Sequence, residues 1–272
     1  MMAIETQFQI ESFLKAVGEA PQSLLMLDYD GTLAPFHKNR MLALPYRGIV
    51  PLLRELISTG KMRVVIVSGR EGTEIVPLLG IQPHPEIWGL HGLQRLRTDG
   101  SEELSTLDEA TIENLSAAKH WAISQNLQRY FELKFGSIVV HWRDWDESVA
   151  QSIRQRVMPA WTEIAKRGLD LMEFDGGIEI RTQKTNKGEA VRTILSELNK
   201  DIPAAYLGDD VTDETAFRVL ERHGLSVLVR PAWRPTAAKA WFRPPNDVLP
   251  FLTRCLEVCQ QSAQTPVPAC RV

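Results

Sequence analysis

Hydrophobic residues fall along this chain in two alternating patterns. Short, mostly apolar runs occur at 24–27, 63–67, 87–89, 204–207 and 225–229. Runs of that length, rich in Leu, Val and Ile, predict strands buried on both faces. Between them, apolar residues recur at helical spacing over about 7–18, 47–59, 71–79 and 187–199. In the last of these, Val191, Ile194, Leu195 and Leu198 share one face. Strand-helix alternation with such strands predicts an α/β fold built on a doubly wound parallel sheet. Ligands in that architecture bind beyond the carboxyl ends of the strands.

The rhythm breaks over about 107–181. Helical patterns at 109–126 and 146–167 enclose a strand-like run, Ser137–Trp142, and another strand fits Gly177–Arg181. These elements predict a compact α+β insertion with a small antiparallel sheet. The expected organisation is a first core segment 1–106, an inserted unit 107–181 and a second core segment 182–272. Pro266 and Pro268 predict a loose tail after about 263.

With 272 residues and 44% hydrophobic content, the chain can bury a sizeable core. A net charge of -3 without a basic block gives no reason to expect nucleic-acid binding. The first ten residues include Glu5 and lack a long apolar stretch, so no secretory leader is expected. No apolar run approaches the roughly 20 residues that span a bilayer, and a cytoplasmic protein is expected. No apolar stripe marks an interface, so a monomer is expected. Cys255, Cys259 and Cys270 all lie near the C-terminus, which suits neither a disulfide framework nor a structural zinc site.

The chemistry concentrates where the strands end. Leu24–Leu27 runs into Asp28-Tyr29-Asp30-Gly31-Thr32-Leu33. Acids at i and i+2 after a strand lie on one side, and Gly31 permits a sharp turn there. Two carboxylates so close repel, and a divalent cation such as Mg²⁺, which prefers oxygen ligands, would relieve the repulsion. A second acidic knot, Gly208-Asp209-Asp210-Val211-Thr212-Asp213-Glu214, follows the run 204–207. Helix capping accounts for one or two of its acids, and metal binding accounts better for the others. Ser68-Gly69-Arg70 follows the run 63–67 and offers a hydroxyl and backbone N–H groups to a phosphate. Lys187-Gly188 opens the helical pattern at 187–199, with Lys184 as a rival for the same duty.

The ordered set Asp-x-Asp-Gly-Thr, Ser-Gly-Arg, Lys-Gly and Gly-Asp-Asp-x-x-Asp resembles the haloacid dehalogenase superfamily of phosphohydrolases. Within it, Trp88-Gly89-Leu90-His91-Gly92, Glu132-x-Lys134, His141-Trp142-Arg143, Glu179-Ile180-Arg181 and Asn186–Ala190 resemble the trehalose-6-phosphate phosphatases. The matches recur over roughly 24–230. The resemblance implies a haloacid dehalogenase core with an α+β cap over 107–181 that sets substrate specificity. It implies Mg²⁺-dependent hydrolysis of trehalose 6-phosphate through an aspartyl-phosphate. By that resemblance Asp28 is the nucleophile, Asp30 the acid and base, and Lys187 the phosphoryl-binding lysine. Gly31, Thr32, Ser68, Gly69 and Arg70 form the phosphate site, with ion-paired support an equal reading of Arg70. The metal falls to Asp28, Asp30 through its carbonyl, Asp209, and Asp210 or Asp213.

For the sugar, the resemblance points to His91, Glu132, Lys134, His141, Arg143 and Glu179. Taken alone, the last five suit a solvated, salt-bridged strand face equally well. Gln94, Phe135 and Thr182 depart from the family pattern in this region, which leaves sucrose 6-phosphate or glucosylglycerol phosphate as rival substrates. A non-catalytic sugar-phosphate sensor is the rival of another class, although it has no need of the full set Asp28, Asp30, Lys187 and Asp209. A functional link to a sugar-phosphate synthase is a further expectation.

Overall fold

The computed structural model describes residues 2–142, 145–174, 176–198, 202–221 and 224–264. The chain divides into two compact units, 1–103 with 186–272, and 104–185. The inserted unit is thus a few residues wider at each end than the expected 107–181.

The larger unit opens with α1 (Met2–Glu19), β1 (Ser23–Leu27), α2 (Ile49–Ser58), β2 (Met62–Val67), α3 (Gly72–Leu79), β3 (Glu86–Gly89), β4 (Gln94–Leu96) and β5 (Glu102–Leu104). The inserted unit carries α4 (Glu109–Ser124), β6 (Phe131–Lys134), β7 (Ser137–His141), α5 (Glu147–Ala165), β8 (Leu169–Phe174) and β9 (Gly177–Thr182). The chain then returns through α6 (Lys187–Ser196), β10 (Ala204–Gly208), α7 (Glu214–Val219), β11 (Gly224–Val229), β12 (Ala240–Phe242) and α8 (Val248–Gln264).

The core sheet has the order β12-β11-β10-β1-β2-β3-β4-β5. It is parallel from β12 to β3, and β4 runs antiparallel to β3. Strand β1 lies in the middle and alternates between two cores. Leu25 and Leu27 pack with Leu53, Val248, Phe251 and Leu252 on one face. Leu24 and Met26 pack with Val191, Ile194 and Phe217 on the other. Both faces of a parallel sheet are covered by crossover helices, which is why β1 is apolar at every position.

The inserted unit is a four-stranded antiparallel sheet, β6-β7-β9-β8, with α4 and α5 on one face. Ile138, Val140, Ile178 and Ile180 join Trp142, Val157 and Trp161 in its core. Asp108 caps α4 by accepting a hydrogen bond from the Thr111 amide at 2.8 Å.

The elements missing from the sequence reading have physical reasons. Strands β4, β5 and β12 are three residues each, too short to show a period. β8 is half-buried and mixes acids with apolar residues. Helix α8 did carry a signal: Val248, Phe251, Leu252, Cys255, Leu256 and Cys259 recur at helical spacing and are all buried. Cys255 and Cys259 are therefore core residues, while Cys270 lies outside the described residues. No helix among the described residues is long and apolar enough to cross a membrane.

Because β1 supports both cores, Leu25→Ala is expected to cost about 2–5 kcal/mol. Urea denaturation measures it, and a loss below about 1 kcal/mol would show that the centre of the sheet is not tightly packed.

Candidate active site

The strand order places the chemistry. β1 pairs with β10 on one side and β2 on the other, so the residues beyond their carboxyl ends converge. Asp28 follows β1, Asp209 follows β10 and Ser68 follows β2. One carboxylate oxygen from each of Asp28, Asp209 and Asp213 lies within 4.8 Å of the others, and all three residues are buried. Gly31 has φ +74°, and a Cβ built there would stand 2.1 Å from Asp209 Oδ2. Any side chain at Gly31 would therefore displace Asp209 as well as strain the turn.

Lys187 begins α6 and is 3% exposed. Its Nζ lies 3.0 Å from Asp28 Oδ1 and 2.7 Å from Asp213 Oδ1. Asn186 holds the helix start by accepting from the Glu189 amide at 3.1 Å. The rival Lys184 instead forms an exposed pair with Asp108 at 3.0 Å.

Three buried carboxylates and one ammonium leave an excess of two negative charges. Burial raises the Asp28 carboxyl to about 7, although Lys187 opposes the shift. Asp209 is pushed well above the carboxylate range by burial, then by Asp28 and Asp213. Burial acts to lower Lys187, but Asp213 and Asp28 together hold it above the ordinary ammonium range. Protons or a divalent cation can neutralise such a site, and an all-oxygen donor set fits a hard cation.

The acids do not share one role. Asp213 Oδ1 accepts from Lys187 Nζ and, at 2.5 Å, from the Tyr206 hydroxyl. Its Oδ2 accepts from the amides of Asp209 and Asp210 at 3.1 and 2.9 Å. A carboxylate offers about four lone-pair sites, and all four are engaged. Asp213, expected as a metal ligand, lies in the three-acid cluster that could hold a cation and also positions Lys187 and the Asp209 loop. Asp210, expected as the alternative to Asp213, lies outside that cluster, and its side chain caps the turn Val211–Asp213.

Asp30 and Arg70 form a pair. Arg70 Nε and Nη2 each donate to one Asp30 oxygen at 2.6 Å, and Nη1 donates to the Arg40 carbonyl at 2.6 Å. The guanidinium sits 5.4 Å from the centre of the Tyr29 ring. Arg70, expected on phosphate or in ion-paired support, pairs with Asp30, because a planar fork matches a carboxylate with two parallel bonds. The Asp30 side chain is correspondingly outside the three-acid cluster.

The other phosphate-site residues lie close by. Ser68 is buried; its hydroxyl accepts from the Arg70 amide at 3.2 Å and its carbonyl from the His91 amide at 2.9 Å. A Cβ on Gly69 would fall 2.6 Å from the His91 ring, so His91 rests on Gly69. His91 and Leu90 both hold positive φ, at 55° and 53°, which is uncommon for side-chain-bearing residues. Thr32 Oγ1 is buried without a hydrogen-bond partner among the described residues, so it does not secure the turn.

In the inserted unit, strand alternation places Glu132, Lys134, His141 and Glu179 on the sheet face opposite the helices. His141 Nε2 and Glu132 Oε2 are 3.0 Å apart. Arg143 lies outside the described residues. Trp142 is core, while Trp145 is exposed and meets Tyr130 edge-on at 4.8 Å. Gln94 is buried and structural: its Oε1 accepts from the Gly72 amide at 2.6 Å and its Nε2 donates to Glu102 at 2.7 Å.

Three participants escaped the sequence reading. Tyr206 orients Asp213, Arg230 donates to the Asp209 carbonyl at 3.2 Å, and Arg40 lends its carbonyl to Arg70. Tyr206 had a signal, since a phenol in a buried parallel strand must find a partner.

An aspartate after the central parallel strand, a buried lysine and a second acidic loop, all at one sheet edge, define a phosphohydrolase of the haloacid dehalogenase class. The trehalose-phosphatase family model matches residues 26–242, and the chain belongs to that family. It is 28% identical over 206 residues to trehalose-6-phosphate phosphatase of Escherichia coli, a match covering 74% of this chain and 75% of that one. It is 29% identical over 236 residues to a bifunctional trehalose-6-phosphate synthase/phosphatase of Thermoproteus tenax. There the match covers 86% of this chain but only 32% of the relative. The fold resembles that of the C. albicans trehalose-6-phosphate phosphatase C-terminal domain, with a TM-score of 0.76 and 23% identity, covering 91% of this chain and 96% of that one.

The raised Asp28 carboxyl gives the metal-free protein a signature. Its native value near 7 exceeds the unfolded value, so between those pH values the native state holds a proton that the unfolded state lacks. Stability should therefore fall as pH rises from about 4 to 7, by on the order of 4 kcal/mol. Urea denaturation in EDTA at pH 5.5 and 8 should show a larger fall in the native chain than in Asp28→Asn, and Mg²⁺ should reduce it. Equal pH dependence in the two proteins would contradict the buried-proton assignment.

Proposed function

We propose that this chain is a Mg²⁺-dependent phosphatase that converts trehalose 6-phosphate to trehalose and phosphate. The observation that carries the reading is the buried Asp28–Lys187 pair beside Asp209. Asp28 attacks phosphorus, forming an aspartyl-phosphate as the bond from phosphorus to the sugar oxygen breaks. Asp30 gives a proton to that oxygen, then takes one from the water that attacks phosphorus and regenerates Asp28. Since Arg70 holds both Asp30 oxygens, that proton transfer requires the pair to open.

Lys187 compensates charge on the transferring phosphoryl oxygens, and Asp213 keeps its ammonium aimed at Asp28. The Ser68 hydroxyl and the backbone of Gly31, Thr32 and Gly69 cradle the phosphate. Asp28, Asp209 and the Asp30 carbonyl would hold Mg²⁺, which when bound supplies charge neutralisation between nucleophile and phosphate. His91, Glu132, Lys134, His141, Arg143 and Glu179 are the proposed contacts for the sugar hydroxyls. The Thermoproteus tenax relative is named as a synthase/phosphatase, which supports a functional link to a sugar-phosphate synthase. A cytoplasmic monomer completes the proposal.

Phosphate release from trehalose 6-phosphate should exceed that from sucrose 6-phosphate, glucosylglycerol phosphate and glucose 6-phosphate. EDTA should abolish it, and Asp28→Asn should lower it by more than about 10³-fold. Preference for another glycosyl phosphate would overturn the sugar assignment, and turnover by Asp28→Asn would overturn the mechanism.

A further inference from the structure

Lys187 reaches Asp28 and Asp213 together, yet its ammonium sits on a flexible four-carbon stem. The stem is buried, so the ammonium goes where the start of α6 is placed. The first amides of a helix have no partner inside it and must find one outside. Asn186 serves the Glu189 amide from within the segment. The Gly188 amide is served from another helix: it donates to Thr215 Oγ1 of α7 at 3.0 Å, 27 residues along the chain.

Thr215 is itself fixed. Its hydroxyl donates to the Thr212 carbonyl at 3.1 Å, which leaves Oγ1 free to accept from Gly188. The preceding residue, Glu214, ties α7 in another direction. Its carboxylate accepts from Arg234, from the Thr236 hydroxyl at 2.8 Å and from the Ala237 amide at 2.8 Å. The two backbones also meet here, because a Cβ on Gly188 would stand 2.7 Å from the Thr215 carbonyl oxygen. Thr212 lies in the turn Val211–Asp213, whose last residue accepts from Lys187 Nζ. The lysine segment is thus attached to that turn twice, by its ammonium through Asp213 and by its backbone through Thr215 and Thr212.

We infer that Thr215 is a positioning residue for the reaction: its hydroxyl sets the start of α6 against the acidic loop and so aims Lys187 at Asp28 and the phosphoryl group. This role rests on the phosphatase reading above, in which Lys187 meets the phosphoryl oxygens. As a helix cap alone, Thr215 would stabilise the fold and leave every folded active site unchanged. As a positioning residue it alters each active site, and the two roles separate in kinetics.

Thr215→Val keeps the volume and removes the hydroxyl, while Thr215→Ser keeps the hydroxyl. Both are assayed with Mg²⁺ on trehalose 6-phosphate, or on whichever phosphate the native chain prefers. In Thr215→Val, kcat and kcat/KM should fall together by at least about tenfold, as for an interaction made in the transition state. Thr215→Ser should stay within about threefold of the native chain. Inhibition by vanadate, which imitates the phosphoryl group in transfer, should weaken in Thr215→Val in parallel. A cap that only stabilised the fold would lower the active fraction and leave vanadate inhibition native. Gly188→Ala, with the hydroxyl intact, should reproduce the loss by pushing α6 off α7, and it decides the question if Thr215→Val fails to fold. Thr193→Val removes a hydroxyl that donates to the Glu189 carbonyl of the same helix at 3.0 Å, and should leave kcat unchanged. Native kcat in Thr215→Val, an equal loss in Thr215→Ser, or lost turnover with native vanadate inhibition would overturn the role of Thr215. No turnover by the native chain on any of the phosphates compared above would overturn the phosphatase reading, and this role with it.

Discussion

The larger unit is organised around an uncompensated charge. Asp28, Asp209 and Asp213 are buried together, and among the described residues Lys187 is the cation that pairs with their carboxylates. Carboxylates out of water demand a partner, and one ammonium satisfies one of three. Burial raises Asp28 and Asp209, the neighbouring carboxylates add to the shift, and the excess of negative charge makes the site receptive to a divalent cation.

Holding that charge in place requires the whole sheet. β1 is flanked by β10 and β2, with its side chains locked into two cores. Gly31 lets the first acidic turn approach Asp209 closely, and Asp213 draws its own four donors from Lys187, Tyr206 and two amides. Residues of the same type differ in their partners: Asp213 and Asp210 accept hydrogen bonds that organise the loop, beside Asp28 and Asp209 in the buried cluster. Arg70 performs the parallel duty for Asp30.

Much of this was legible in the sequence, because buried parallel strands are apolar throughout and acids directly after them stand out. Lys187 was distinguishable from Lys184 by its place at the start of a helix. What the sequence left open was which acid does what, since Asp210, Asp213 and Asp209 differ only in hydrogen bonds made after folding. Arg70 stayed open between phosphate contact and ion-paired support for the same reason: an arginine after a strand suits a phosphate or a carboxylate equally, and Asp30 is 40 residues away in the chain. Short edge strands stayed hidden because three residues have no period. Glu132, Lys134, His141 and Glu179, expected to meet the sugar, lie on one sheet face whose sequence pattern is that of any solvated strand.

Borohydride trapping tests the role of Asp28 most directly. An aspartyl-phosphate is reduced to an alcohol, converting the reacting aspartate to homoserine, which peptide mass spectrometry locates. With trehalose 6-phosphate and Mg²⁺ present, conversion is expected at position 28 and at no other acid, and it should vanish without substrate. Conversion at Asp30 or Asp209, or turnover with no trapped residue, would contradict nucleophilic attack by Asp28.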